Sequence, residues 1–400
     1  MRNIIALFLI IFLPSLLLGQ TNTAEQTLVL SRVTVIDMTG SPPQSDMTVV
    51  ITGNRIVALG KTSKISVPKN AQAIDATGKF LIPGLWDMHV HILFLLRQLP
   101  DTFFPLFVAN GVTSVRDMHG DLESFNQFGN QPAQPMRPRV VGASLIVDGP
   151  RPLWAASIAV NSAEDGRKAV LDLKKRGANF VKTYSLIPRD AFFAIADESK
   201  KQGIPFAGHV PVSVTAAEAS DAGIKSMEHL LGVLLGCSTE EDKLRKNLLD
   251  EIVKADYSQD VVMRRLFFAP PEEILDTYSE ERATKLFARF ARNNTWQVPS
   301  LVVWRGEAFA GDAAFARDER LKYVPRSIRE SWNPQNSDQL RSLSSADIAY
   351  TRKLYERYFP LVGAMRRAGV PFMVERTRRI RMFFRASAFT MKWRCSSKPD

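Results

Sequence analysis

The spacing of apolar and polar positions changes character along the chain. Residues 27–40 (TLVLSRVTVIDMTG) and 47–60 (MTVVITGNRIVALG) are β-branched runs. The second breaks at Gly53-Asn54, a dipeptide suited to a tight hairpin. AQAIDATGKFLIPGL (71–85) leads out of this region. Residues 25–78 therefore read as a small β-sandwich lobe at the N-terminus.

From residue 79 onward, short apolar strands alternate with helical stretches. The candidate strands are LWDMHVH (85–91), GVTSVRDM (111–118), RVVGASLIV (139–147), NFVKTYS (179–185), IPFAGHV (204–210), IKSMEHL (224–230), WQVPSLVVW (296–304) and GVPFMV (369–374). Helical segments such as 163–177 and 188–203 lie between several of them, each ending near glycine. Strands alternating with helices mean a parallel sheet, and eight of them suggest a closed (β/α)8, TIM-like barrel over residues 79–373. Residues 239–292 and 305–362 read as polar-rich helical excursions that shape the mouth of a pocket. No internal repeat appears beyond the alternation.

The first residues set the compartment. Met1-Arg2-Asn3 precedes the apolar IIALFLIIFLPSLLLG, and polar QTNTAEQ follows. Residues 1–24 thus read as a signal peptide of an exported protein, periplasmic or secreted. A membrane anchor is the alternative, but the run is short for a span and Pro14 interrupts it. Only Cys237 and Cys395 occur, so no disulfide framework is expected despite export. The formal charge of +11 invites a nucleic-acid reading. Eight Lys/Arg in residues 374–400, against Glu375 and Asp400, account for much of that excess. The body carries no basic helix or aromatic-interleaved patch, so nucleic acid is excluded as a partner. Membrane contact is limited to the export signal.

All five histidines (His89, His91, His119, His209 and His229) fall at or just beyond the C-terminal end of a predicted strand. In a (β/α)8 barrel those ends converge on the face that carries active sites. Alternate residues on a strand share a face, so His89 and His91 project together as a two-nitrogen claw. His209 and His229 bring further imidazoles across the same mouth. Taken singly, a strand-end histidine is more often a hydrogen-bonded packing residue than a ligand. Taken together, His89, His91, His209 and His229 read as a divalent transition-metal site, zinc by default. Lys182, near the end of the fourth strand behind Phe180 and Val181, is the fifth member. A desolvated neutral lysine is a nucleophile, and carbamylation would turn it into a bridging carboxylate. A lysine snorkelling at the rim is the plain alternative.

The ordered set PGLWDMHVH, GVTSVRDM, NFVKTYS, FAGHVP and SMEHLLG resembles the metal-dependent amidohydrolase superfamily. Within it the chain is most similar to the imidazolonepropionase-like and Xaa-Pro-dipeptidase-like branch, over about residues 27–373. The resemblance implies that His89 and His91 bind one metal ion, that carbamylated Lys182 bridges to a second, and that His209 and His229 bind the second. Two divalent ions, zinc, are then the cofactors, and Lys182, His209 and His229 count as catalytic. The lobe of residues 25–78 corresponds to the family's β-sandwich, which also takes strands from the C-terminal part of the chain.

The resemblance breaks at strand eight. The family places there an aspartate, usually in Gly-Thr-Asp, that binds the first metal and shuttles the proton. Here AGVPFM continues as VERTRRIRMFFRASAFTMKWRCSSKPD, with no aspartate before Asp400. Codons exist for residues 374–385 that, read two nucleotides later, spell Gly-Thr-Asp-Thr-Pro-Asn-Pro-Tyr-Val-Phe-Pro. A frameshifted, truncated chain with an aberrant basic tail over 374–400 is the expectation; Glu375 standing in for the aspartate is the alternative. The original gene sequence decides between them.

The activity implied is hydrolysis of a C–N bond in a small amide, lactam or dipeptide by a metal-activated water, impaired here by loss of that aspartate. Tyr184, His119 and Arg116 are candidate substrate-binding residues, although packing explains Tyr184 and His119 equally well. Arg116 and Asp117 are expected to form an ion pair. The Gly/Pro loop 146–154 is a candidate pocket wall. The rival readings are a mononuclear deaminase of the same superfamily and an inactive metal-binding barrel. The partner implied is a small molecule, with a homo-oligomer left open.

Overall fold

Residues 1–83 and 84–400 separate into two units, each with its own sheet structure. The computed structural model describes residues 26–95, 100–129, 135–268, 270–309, 312, 317, 319–331 and 343–374. Residues 1–24, expected to be a signal peptide, and the basic tail from Glu375 onward lie outside the described residues.

In the first unit the alternating runs form one five-stranded sheet. Strands β1 (Thr27–Val35), β2 (Gln44–Thr52) and β3 (Arg55–Lys61) are antiparallel neighbours, and Gly53-Asn54 makes the two-residue turn between β2 and β3. Strands β4 (Gln72–Asp75) and β5 (Phe80–Leu81) lie parallel to β1. Val33, Val35, Met47, Val49 and Ala76 form the buried cluster of this unit. A single layer is present among the described residues; the second layer of the expected sandwich is not among them.

In the second unit nine strands form two parallel sheets. One contains β6 (Leu85–Val90), β7 (Val112–Asp117) and β8 (Arg139–Gly142), in that order. The other runs β10-β9-β11-β12-β13-β14. Its strands are β9 (Ile146–Asp148), β10 (Ser157–Ala159), β11 (Val181–Thr183), β12 (Phe206–Gly208), β13 (Ser226–Glu228) and β14 (Trp296–Val298). Parallel strands joined by helices confirm the α/β class read from the alternation.

The two sheets are linked by backbone hydrogen bonds. The expected strand 139–147 is broken into β8 and β9 at Ser144, whose φ is +65°. Ala143 N donates to Asp117 O (3.1 Å) and Asn179 N to Gly142 O (2.9 Å), which carries the pairing from β7 towards β11. Farther along, Gln297 N donates to Pro371 O (2.9 Å), Met373 N to Gln297 O (2.9 Å) and Met88 N to Val374 O (2.9 Å). Residues 371–374 therefore pair with β14 on one side and β6 on the other.

The expected strand 296–304 is only partly a strand. Pro299 has no N–H to give to the ladder, Ser300 turns with φ +52°, and Leu301–Ala308 is helical. β10 was not foreseen; its three residues carry no period-2 pattern long enough to read. The helices behave as their ends predict. Ser162 accepts from Asp165 N to open Ala163–Lys175, with Glu164 and Asp165 in the first turn and Lys174 and Lys175 in the last. Helix Arg189–Gln202 stops at Gly203. The excursions hold helices Glu241–Lys254, Glu280–Arg292 and Ser345–Arg367. No described helix is long and apolar enough to cross a membrane.

Candidate active site

The strand ends bring the histidines together. His89 lies in β6 and His91 one residue beyond it, and period-2 alternation turns both rings the same way. Their Nε2 atoms are 3.1 Å apart. His209 follows β12 directly and donates its N–H to Thr183 O (3.0 Å); His229 follows β13 and donates to Val298 O (2.8 Å). Each imidazole is thus tied at its backbone to the neighbouring strand. Ring centres lie 4.4 Å apart for His89–His229, 5.1 Å for His209–His229 and 6.1 Å for His91–His119.

His229 and Leu230 both take left-handed backbone conformations, φ +63° and +59°. Such a conformation costs a non-glycine residue about 1–3 kcal/mol and persists where surrounding contacts over-determine it. Trp304, fully buried, supplies one such contact by donating its indole N–H to His229 O (3.0 Å). Lys182 is the central residue of β11 and is fully buried, its Nζ 5.9 Å from the centre of the Tyr184 ring.

A set of polar partners holds the far side of three imidazoles. Nδ1 of His89 contacts Glu228 Oε2 (2.7 Å), Nδ1 of His209 contacts Ser185 Oγ (2.8 Å), and Nδ1 of His229 contacts Ser300 Oγ (2.7 Å). With Nδ1 engaged, Nε2 is the ring nitrogen that can serve a ligand. Glu228, Ser185 and Ser300 were missed in the sequence. Ser226 and Glu228 alternate in SMEHL, a signal that places both on one face of the strand.

Arg116 corrects an expectation. Its guanidinium donates to Met88 O (2.6 Å), Ser226 Oγ (3.0 Å) and Glu228 Oε1 (2.8 Å), and it pairs with Glu228 in place of Asp117. It is buried, and the partners named here are all protein groups, Glu228 among them. Asp117 instead accepts backbone N–H groups from Leu93 (2.9 Å) and His119 (3.1 Å). Complete burial pushes its carboxyl up to about 7 despite those bonds.

The other substrate-binding candidates lie beside the histidines. Tyr184 stacks on His209 with ring centres 4.0 Å apart, and its hydroxyl accepts from Trp154 Nε1 (2.8 Å). His119 lies 6.5 Å from Trp154 between ring centres, and burial holds its imidazole down at about 4, neutral at ordinary pH. The loop 146–154 therefore reaches the site through Trp154. Buried Asp148 anchors that loop, accepting from Leu153 N (3.1 Å) and Leu186 N (2.8 Å); burial raises its carboxyl to about 6.

The donor chemistry fits a divalent ion. Two imidazole nitrogens each about 2.0–2.1 Å from a common ion, at the 3.1 Å separation found here, subtend roughly 100° at it. The carboxylate behind His89 is the kind of outer partner that metal-bound histidines use. Among the described residues, no group of three or more His, Cys, Asp or Glu side chains forms a ready-made metal cage.

No family model and no curated protein matches the chain. Solved structures do. The chain is similar to a bottromycin amidohydrolase at 20% identity and a TM-score of 0.61, over 94% of this chain and 74% of that one. It is similar to a Xaa-Pro dipeptidase with methionine bound in its active site, at 16% identity and a TM-score of 0.57, over 94% and 85%. An ochratoxinase from A. niger follows at 15% identity and 0.54, over 88% and 76%. The fold is therefore that of the amidohydrolase structures, Xaa-Pro dipeptidases among them.

Proposed function

We propose that the chain is a hydrolase of C–N bonds in small amides, lactams or dipeptides, built on an eight-stranded barrel closed by residues 371–374 and exported through residues 1–24. The observation that carries this reading is the gathering of His89, His91, His209 and His229 at one set of strand ends, with Nδ1 of three of them held by Glu228, Ser185 and Ser300. In this reading His89, His91, Lys182, His209 and His229 hold two divalent ions, zinc by donor type, with Lys182 carbamylated. When bound, such ions supply Lewis acidity, bringing the pKa of a water near neutral and polarising the scissile carbonyl.

The chain's own groups supply orientation and polarity. Tyr184, stacked on His209 and bonded to Trp154, presents a fixed phenol beside the reacting carbonyl. Neutral His119 offers an uncharged imidazole that does not repel a cation. The proton that must reach the leaving nitrogen has no aspartate to carry it immediately beyond Val374, so turnover by this chain is slow.

Metal analysis combined with a hydrolysis screen over dipeptides and lactams tests the proposal. The screen is run on this chain and on a version whose tail is read in the alternative frame. Two ions per chain and C–N cleavage, faster with the restored tail, are expected. One ion with deamination activity would favour the mononuclear reading, and no bound ion would overturn the hydrolase assignment.

A further inference from the structure

Of the Nδ1 partners of His89, His209 and His229, only one dictates where the proton sits. The hydroxyls of Ser185 and Ser300 can donate or accept, so they suit either tautomer of His209 and His229. A glutamate carboxylate only accepts. We propose that Glu228 is a positioning residue that fixes His89 as the Nδ1–H tautomer, aiming its Nε2 lone pair at the point it shares with His91, and that Arg116 and Ser226 hold Glu228 in that role. This rests on the metal-dependent reading above and names the residue that makes His89 a ligand.

The geometry accounts for each donor around Glu228. Oε2 accepts from His89 Nδ1 at 2.7 Å, and Oε1 accepts from Arg116 at 2.8 Å and from Ser226 Oγ at 2.6 Å. Ser226 Oγ in turn accepts from Arg116 at 3.0 Å. The guanidinium is fixed from behind by Met88 O at 2.6 Å, one residue before His89, and its central carbon stands 5.5 Å from the centre of the Phe180 ring. Glu228 is fully buried and Arg116 nearly so. A buried ion pair is weak as a source of stability, because desolvation offsets its attraction. What this pair does supply is direction. With Nδ1 protonated, the His89 Nε2 lone pair faces His91 Nε2 at 3.1 Å, where either a proton on His91 or a cation completes the contact.

The substitution Glu228→Gln gives a sharp reversal. Within the new side chain only the amide oxygen can accept from Arg116 and Ser226, so the amide nitrogen turns towards His89. Nδ1 must then accept, and the ring proton moves to Nε2, where it blocks ligation. The experiment records nitrogen-15 long-range correlations of histidine-labelled, chelator-treated full-length chain. It also measures zinc affinity by competition with a chromogenic chelator. Expected are the Nδ1–H tautomer for His89 in the wild type, the Nε2–H tautomer in E228Q, and zinc affinity about 10- to 100-fold weaker in E228Q. Ser300→Ala, a control at an equally buried partner, leaves the His89 signals unchanged. An Nε2–H tautomer of His89 in the wild type overturns the proposal, and so does wild-type zinc affinity in a folded E228Q. The wild-type spectrum decides even where E228Q does not fold. Zinc that binds neither protein sinks the hydrolase reading, while the tautomer result still decides this one.

Discussion

Gly208 and Lys182 fit together only because residue 208 has no side chain. A Cβ there would stand 2.9 Å from Lys182 Cδ and 2.2 Å from the carbonyl oxygen of Thr183. The backbone at 208 also has φ +141°, which L side chains rarely adopt. The lysine stem could yield, but the carbonyl belongs to the neighbouring strand and cannot. Gly208→Ala is expected to cost about 2–3 kcal/mol of stability, read from chemical denaturation. Wild-type stability would show that the strand spacing around Lys182 is looser than described.

Lys182 distinguishes the proposed two-ion site from the one-ion alternative. Intact mass analysis under mild conditions is expected to show the mass of one added carbon dioxide, absent in Lys182→Ala. That variant is expected to retain one ion where the wild type holds two. Chelation should abolish turnover and zinc should restore it. An unmodified lysine with one ion in both proteins would move the assignment to the mononuclear class.

Asp117 and His119 are predicted to pull stability in opposite directions with pH. Asp117 titrates at about 7 when folded and near 4 when unfolded. The unfolded chain therefore loses that proton first, and stability falls as pH rises between those values, levelling off above about 7. His119 titrates at about 4 when folded and near 6.5 when unfolded. Here the unfolded chain holds the extra proton, so stability rises between about 4 and 6.5 and is then complete. Each contribution is on the order of 3 kcal/mol, and in the wild type they largely cancel. Urea unfolding across pH 4–8 should show a steeper rise for Asp117→Asn and a steeper fall for His119→Asn. Parallel curves for all three proteins would refute the assignment.

Asp148 accepts from the amides of both Leu153 and Leu186. Asp148→Ala leaves both buried N–H groups without that acceptor, at a cost of about 2–4 kcal/mol. It also frees the loop that carries Trp154. A rise in KM several-fold larger than any fall in kcat is expected, since Trp154 holds the hydroxyl of Tyr184, the residue proposed to face the substrate. Equal KM values would remove the loop from the pocket wall.

The elements that could be read in advance are those set by local rules. Gly203 marks a helix end, and period-2 alternation puts His89 beside His91. The break of strand three at Ser144 was hidden because nothing in RVVGASLIV signals a left-handed residue. The turn into a helix after Val298 was signalled by Pro299, but the apolar run beyond it reads equally well as strand. The Arg116–Glu228–His89 arrangement was the least legible. Its partners are separated by 112 and 139 residues, and one sequence carries no record of such pairings. Arg116 beside Asp117 looked like an ion pair because adjacency in sequence is visible and adjacency across a sheet is not.

Residues 371–374 meet β14 through Gln297 and β6 through Met88. The partner of Val374 is thus a strand made nearly three hundred residues earlier on the ribosome. Until that last short segment emerges, the leading strand has one flank unzipped. Nascent chains stalled just short of Pro371 should therefore be the ones that chaperones hold and proteases clip first.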